Sequence, residues 1–182
     1  PDCQLVFLSP RPNRNIIGKF YSDDYAPHQA NKIKHHKKSS KEFSSPPPEI
    51  NAKLLDYGCG NGAFLLKMKA LGWEVTGLDA SANAIAVANA AGIKALQGDF
   101  KHPEVTTIKF DCITLRQVLE HLHNPLETLN EARNHLATKG KISISVPNIE
   151  SLPYRWFKED WLGIDFPRHL LFFNPQSLEN ML

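Results

Sequence analysis

The chain has 182 residues, 42% hydrophobic and 22% charged, with a net charge of +2, enough to build one buried core without disulfide or metal staples. Cys3, Cys59 and Cys112 are odd in number, widely spaced and form no C-x-x-C pair, which argues against a secreted disulfide framework and for a reducing compartment. No apolar run reaches the roughly 18 residues of a membrane span, and Pro1-Asp2-Cys3-Gln4 lacks the basic-then-apolar order of a signal peptide, so a cytoplasmic protein is expected.

Charge divides the chain into two parts. Residues 1–50 hold eight Lys/Arg against five Asp/Glu, whereas residues 51–182 hold thirteen against fourteen. The basic excess sits in Lys32, Lys34, Lys37, Lys38 and Lys41, interleaved with His35 and His36, and runs into Ser44-Ser45-Pro46-Pro47-Pro48. This is the composition of a solvated connector. A nucleic-acid surface would add stacking aromatics and a wider basic face, so nucleic acid is not an expected partner. The expected organisation is an N-terminal linker or lid over 1–50 and a folded domain over 51–182.

From residue 51 the punctuation becomes regular. Lys53 to Tyr57 reads as a strand, Gly58-Cys59-Gly60-Asn61-Gly62 as a turn, and Phe64, Leu65, Met68 and Leu71 as the apolar face of a helix closed by Gly72. Glu74 to Asp79 is a second strand; Ser81 caps a helix carrying Ile85, Ala88 and Ala91, and Gly92 stops it. Ile93–Leu96, Phe110–Leu115 and Lys141–Val146 are the third to fifth strands, the last preceded by a helix with Asn124 as cap and Pro125 in its first turn. This alternation predicts an α/β fold, a mainly parallel, twisted sheet between two helical layers.

A parallel sheet of this kind binds ligands beyond the carboxyl ends of its strands, where strand order reverses. Residues after strands therefore come first: Asp56 to Gly62, Asp79-Ala80-Ser81, Gly98 to Phe100, and Leu115 to His121. Gly58 and Gly60 permit a tight turn, and the following helix offers unpaired N–H groups to an anion. Asp79, 21 residues beyond Gly58, stands where a carboxylate accepts hydrogen bonds from a ribose diol. Gly58, Gly60 and Ala63 satisfy the dinucleotide pattern G-x-G-x-x-G/A literally. Gly62 and the Gly98-Asp99-Phe100 triplet, with an acid and an aromatic suited to an adenine, favour a different cofactor.

Together these segments resemble class I S-adenosylmethionine-dependent methyltransferases. Leu54-Leu55-Asp56-Tyr57-Gly58-Cys59-Gly60-Asn61-Gly62 is similar to their first motif, Asp79 to their ribose acid, and Asp99-Phe100 to their adenine site. Gln117-Val118-Leu119-Glu120-His121-Leu122, followed by Asn124-Pro125, resembles the fourth-strand segment of enzymes that methylate quinones, sugars and other small molecules. The resemblance implies a Rossmann-like three-layer domain, S-adenosylmethionine as cofactor and a small-molecule acceptor. It also implies that Arg116 and Gln117 flank the cofactor, or else form an exposed strand-end pair, and that Tyr21 and Tyr25 cover its methionine end or simply pack. Cys3 to Phe7 and Phe20 to Tyr25 look like a linker that follows a four-cysteine zinc segment in some relatives. Cys3 alone stands for that segment, so no zinc site is expected. His169 to Pro175 resembles a segment leading into a further helix, with Asn174 and Pro175 repeating the cap-plus-proline device, and the sixth and seventh family strands have no residues to build them, so the fifth strand is expected at an open edge.

The implied reaction is in-line attack on the sulfonium methyl, which asks the protein to hold two reactants close and exclude water. For a hydroxyl acceptor the candidate bases are His121 and His169; His121 equally suits a structural role on the cofactor side, and His169 a pairing with Asp165 or Glu159. Asp56 binds the methionine ammonium or holds the glycine turn. Cys59 sits at a helix N-terminus, a position that lowers a thiol pKa. Trp156, Phe157 and Trp161 form an aromatic segment suited to an acceptor pocket or to a core. The alternatives to a methyltransferase are a cofactor-binding protein without turnover and a nicotinamide-dependent oxidoreductase.

Overall fold

A computed structural model describes residues 3–21 and 45–182; the expectations for Tyr25 and the Lys32–Lys41 run, with His35 and His36, lie outside the described residues. The first elements are a short strand β1 (Val6–Phe7), a one-turn helix α1 (Arg14–Ile17) capped by Asn13, and a 3-10 turn over Gly18–Phe20. There follow β2 (Lys53–Tyr57), α2 (Ala63–Ala70), β3 (Glu74–Asp79), α3 (Ala82–Ala90), β4 (Lys94–Gln97) and β5 (Phe110–Arg116). The chain continues through α4 (Pro125–Asn134), β6 (Leu136–Ser145), α5 (Leu152–Phe157), β7 (Leu171–Phe172) and α6 (Pro175–Glu179).

Strands β2 to β6 form one parallel sheet in the order β4-β3-β2-β5-β6. Successive strand residues face opposite layers, and the core divides accordingly. Leu54 and Cys112 pack with Leu65 and Met68 of α2 and Ile85 and Ala88 of α3. Leu55 and Ile113 pack on the other face with Leu129 and Ala132 of α4. This two-sided burial is why β2 reads as an apolar run rather than an alternation.

The expected caps form. Ser81 Oγ accepts from Ala84 N at 3.2 Å, Asn124 Oδ1 from Glu127 N at 3.4 Å, and Asn174 makes a reciprocal capping box with Ser177. β6, the strand expected over Lys141–Val146, begins earlier, at Leu136, because the chain returns to the sheet directly after α4, with a register shift opposite Phe110–Cys112. β6 has one partner strand in the main sheet and so stands at an edge among the described residues. A second sheet was not foreseen: β7 pairs antiparallel with β1, Val6 opposite Phe172 and Phe7 opposite Leu171. No helix of the described residues is long and apolar enough to cross a membrane.

Candidate active site

Strand order reverses at β2, which has β3 on one side and β5 on the other. The glycine turn leaves the sheet there. Gly58 N and Cys59 N both donate to Leu78 O, at 2.7 and 3.0 Å, folding the turn over the end of β3. Gly58 has φ +76°, and a Cβ at this position would lie 2.5 Å from Val118 Cγ2, so both backbone shape and space require glycine. Gly60 N donates to Asp79 Oδ2 at 2.9 Å and Ser81 N to Asp79 Oδ1 at 2.8 Å. The carboxylate at the end of β3 thus organises the turn and the start of α3 together.

Above these strand ends lies a cavity of about 650 Å³. Its floor is Asp56, Gly58, Cys59 and Gly60; Asp79 and Ala80 form one side, Arg116, Gln117 and His121 another, and Tyr21 reaches it from the N-terminal segment. Asp56 is 3% exposed and accepts from Thr114 Oγ1 at 2.6 Å. Burial pushes its pKa up to about 8, against the Thr114 bond and with help from the Asp79 charge. A cation entering this cavity would restore the carboxylate. Arg116 carries its guanidinium 4.0 Å over the Phe64 ring, a cation–π contact on the cavity wall. Gln117 adopts φ +56° and donates its backbone N–H to Ser145 O at 2.7 Å, turning the chain out of β5.

Two expectations reverse. Cys59 is buried, and burial, reinforced by Asp56 and Asp79, pushes its thiol pKa far up rather than down; desolvation outweighs the helix terminus. Phe100 is 2% exposed, stacked on Tyr57 at 4.9 Å between centroids and tilted against His135 at 5.1 Å. Its ring belongs to the core and offers no face to an adenine. Asp99 is exposed, accepts from Lys101 N at 2.9 Å and, with Phe100, borders a neighbouring polar cleft of about 370 Å³. Of the Gly98-Asp99-Phe100 triplet, Gly98 reaches the main cavity.

The two histidines also separate. His121 Nδ1 lies 2.9 Å from Tyr21 Oη and 3.1 Å from Arg168 O, so one tautomer accepts from the tyrosine and the other donates to the carbonyl. Burial, with the neighbouring His169, pushes its pKa down to about 4. His169 is absent from the cavity lining; its Nδ1 bonds Gly163 O at 2.8 Å and its Nε2 lies 3.7 Å from Asp165. The Asp165 pairing is the one that forms, and Glu159 is exposed. Behind them is Glu120, 1% exposed, with neither carboxylate oxygen hydrogen-bonded. Burial pushes it up to about 8. Glu120, His121 and His169 each bring one atom able to ligate a metal within 4.8 Å of the others. Trp156 and Phe157 are largely exposed and, like Trp161, lie off the cavity; Trp161 meets Tyr154 edge-on at 5.7 Å.

A family model described as a methyltransferase domain matches residues 26–182. The chain belongs to the methyltransferase domain family. Among curated relatives, the ubiquinone biosynthesis O-methyltransferase of Glaesserella parasuis serovar 5 is 36% identical over 113 residues, 56% of this chain and 48% of the relative. That of Cereibacter sphaeroides is 32% identical over 114 residues, 59% and 46% of the two chains. The chain thus spans about half the length of these relatives. The plantazolicin methyltransferase BpumL, solved in complex with a monoazolic desmethylPZN analog and SAH, aligns with a TM-score of 0.60 at 26% identity over 74% of this chain and 55% of that one. The same enzyme with SAH alone gives 0.63 at 24% identity over 95% and 69%. The methyltransferase family replaces the nicotinamide oxidoreductase alternative that the literal glycine spacing allowed.

Within this methyltransferase domain the turn and Asp79 stand where strand-end reasoning put them. Phe64, Thr114 and Glu120 escaped it. Phe64 read as core from its helical spacing, and Thr114 as an ordinary strand residue. Glu120 lies in a 3-10 turn over Leu119–His121, where no periodicity marks a buried face.

Proposed function

We propose that this domain binds S-adenosylmethionine in the 650 Å³ cavity and transfers its methyl group to a small-molecule acceptor by in-line displacement. The observation that carries the reading is the Asp79 carboxylate holding the glycine turn at the switch point of the sheet, the arrangement that presents a diol-binding acid beside a nucleoside. The lining fits the group chemically. Asp79 suits the ribose hydroxyls, buried Asp56 suits the ammonium, and the Arg116 cation suits the carboxylate of an amino acid. Leu78, Val118 and Leu122 supply apolar walls, and the volume lies within the ~300–1,000 Å³ of small-molecule sites.

The bound cofactor supplies an electrophilic methyl on a sulfonium. The protein's own work is to hold that group, exclude water and leave room for the acceptor. His121, with its pKa near 4, is neutral at physiological pH and a weak base, and its Nδ1 is occupied by Tyr21 and Arg168; we assign it to positioning the N-terminal segment. His169 holds its own loop.

Titration calorimetry with S-adenosylmethionine and S-adenosylhomocysteine, beside a nicotinamide dinucleotide, tests the pocket; transfer of a labelled methyl group to an acceptor panel tests turnover. Micromolar binding of the adenosyl ligands without dinucleotide binding is expected. Dinucleotide binding alone would overturn the reading.

A further inference from the structure

The segment that carries Tyr21 to the cavity has little to hold it. Helix α1 and the following 3-10 turn contain no buried residue; Ile16 is 43% and Phe20 37% exposed. Ile17 packs against the core from this stretch. A four-residue helix with so little apolar burial does not order itself, so its placement rests on polar ties. One is at its start, where His123 Nε2 meets Pro12 O at 2.8 Å. Others lie at its end and converge on one residue.

Arg168 Nη1 donates to Phe20 O at 3.3 Å, immediately before Tyr21. Its backbone carbonyl lies 3.1 Å from His121 Nδ1, the atom that also meets Tyr21 Oη at 2.9 Å. The guanidinium is itself fixed: Nε donates to Asp165 Oδ2 at 2.9 Å and Nη2 to Asp165 Oδ1. This fork leaves Nη1 aimed at the Phe20 carbonyl. The Arg168 side chain thus reaches the N-terminal segment directly at Phe20, and its carbonyl borders the His121 nitrogen that Tyr21 meets.

We propose that Arg168 is a positioning residue of the cofactor cavity, holding the Gly18–Tyr21 wall in place from outside the lining. The proposal rests on the cofactor reading above for its consequence in binding, but not for the placement of the wall. Three donors in a fixed plane serve three acceptor oxygens on two residues of different segments, Asp165 and Phe20. A lysine ammonium keeps the charge yet cannot reproduce the fork. Arg168 is absent from the cavity lining, so its side chain acts on a ligand through the lining residues of the wall it holds, Gly18 and Tyr21.

The test combines hydrogen exchange without ligand and calorimetry with S-adenosylhomocysteine on the full chain. Wild type, Arg168→Ala, Arg168→Lys, Tyr21→Ala and the Arg168→Ala/Tyr21→Ala double variant are compared. In Arg168→Ala, amide exchange should rise in the peptide covering residues 14–21 while β2 and β5 keep their protection. Affinity should fall about tenfold in each single alanine variant, and the double variant should be no weaker than the weaker single one, as for two residues acting through one contact. Arg168→Lys should fall between wild type and Arg168→Ala, and it serves as the test if the alanine variant fails to fold. Unchanged exchange at 14–21, or fully additive affinity losses, would overturn the proposal. Failure of the wild type to bind the ligand, with exchange rising as stated, would leave the wall assignment standing and remove the cofactor reading instead.

Discussion

The amide of Gly60 donates to Asp79 Oδ2 at 2.9 Å, tying the turn after β2 to the last residue of β3 across the mouth of the cavity. The other oxygen of the same carboxylate accepts from Ser81 N at 2.8 Å. Asp79 is therefore both a cavity-lining acid and a brace for two backbone segments. Asp79→Ala should weaken S-adenosylhomocysteine binding at least ~tenfold and lower folding stability by about 1–3 kcal/mol, the usual loss for charge-assisted bonds. Asp79→Asn, which keeps one acceptor oxygen, should fall between. Calorimetry and urea unfolding read the two effects; loss of affinity with no change in stability would show that the brace contributes nothing.

Gly58 offers a test of the turn's shape. An alanine there adds a Cβ at 2.5 Å from Val118 Cγ2 and holds a left-handed φ of +76°. The expected cost is about 1–3 kcal/mol from each source, strain and overpacking. Adding Val118→Ala should recover the steric share and not the backbone share. Denaturation midpoints of the two variants separate them, and full recovery would mean the φ angle is easily accommodated.

Stability should depend on pH through Asp56. Its carboxyl titrates near 8 when folded, against an ordinary 3.8, so between these values the unfolded chain holds fewer protons than the folded one, and stability falls as pH rises. Glu120, raised from 4.5 to about 8, acts in the same direction. His121 acts oppositely: lowered from 6.5 to about 4, it removes stability as pH falls through that interval. Thermal melts of the ligand-free protein from about pH 5 to about pH 8 should show the melting temperature falling toward the alkaline end. Asp56→Asn, which carries no titrating group, should flatten that slope. An unchanged slope would remove Asp56 as its source.

Phe100 is expected to behave as a core residue. Phe100→Ala opens a cavity beneath Tyr57 and His135 and should cost about 3–5 kcal/mol. Phe100→Leu, which keeps most of the volume, should bind S-adenosylhomocysteine within about twofold of wild type if the ring makes no ligand contact. A tenfold loss in the leucine variant, with stability retained, would return the ring to the binding site.

What was legible in the sequence was local and forced by backbone chemistry. Left-handed angles at Gly58, Gly60 and Gly62 are cheap for glycine alone, so their spacing announced the turn, and the caps at Ser81, Asn124 and Asn174 announced three helix starts. Asp79 followed because a strand end is a place as well as a residue. Side-chain direction at loop positions was not legible. Phe100 stands after a strand end too, yet its ring turns inward onto Tyr57, a choice set by space left between β2 and α4. Glu120 was one letter of the Gln117–Leu122 segment with no role of its own, and its burial comes from segments distant in the chain, including Leu170, whose N–H donates to Glu120 O at 2.7 Å. The pairing of β1 with β7 left no trace either, since strands of two residues are too short to show a period.

That pairing has a consequence for how the molecule comes into being. Val6 and Phe7 leave the ribosome long before Leu171 and Phe172, the residues they pair with, and synthesis proceeds at only ~5–20 residues per second. The parallel sheet can be assembled from β2 to β6 while the N-terminal stretch still has no partner strand. The strands that frame the cavity are therefore synthesised before Arg168, and the bond from its side chain to Phe20 O, beside Tyr21, cannot form until they have been made.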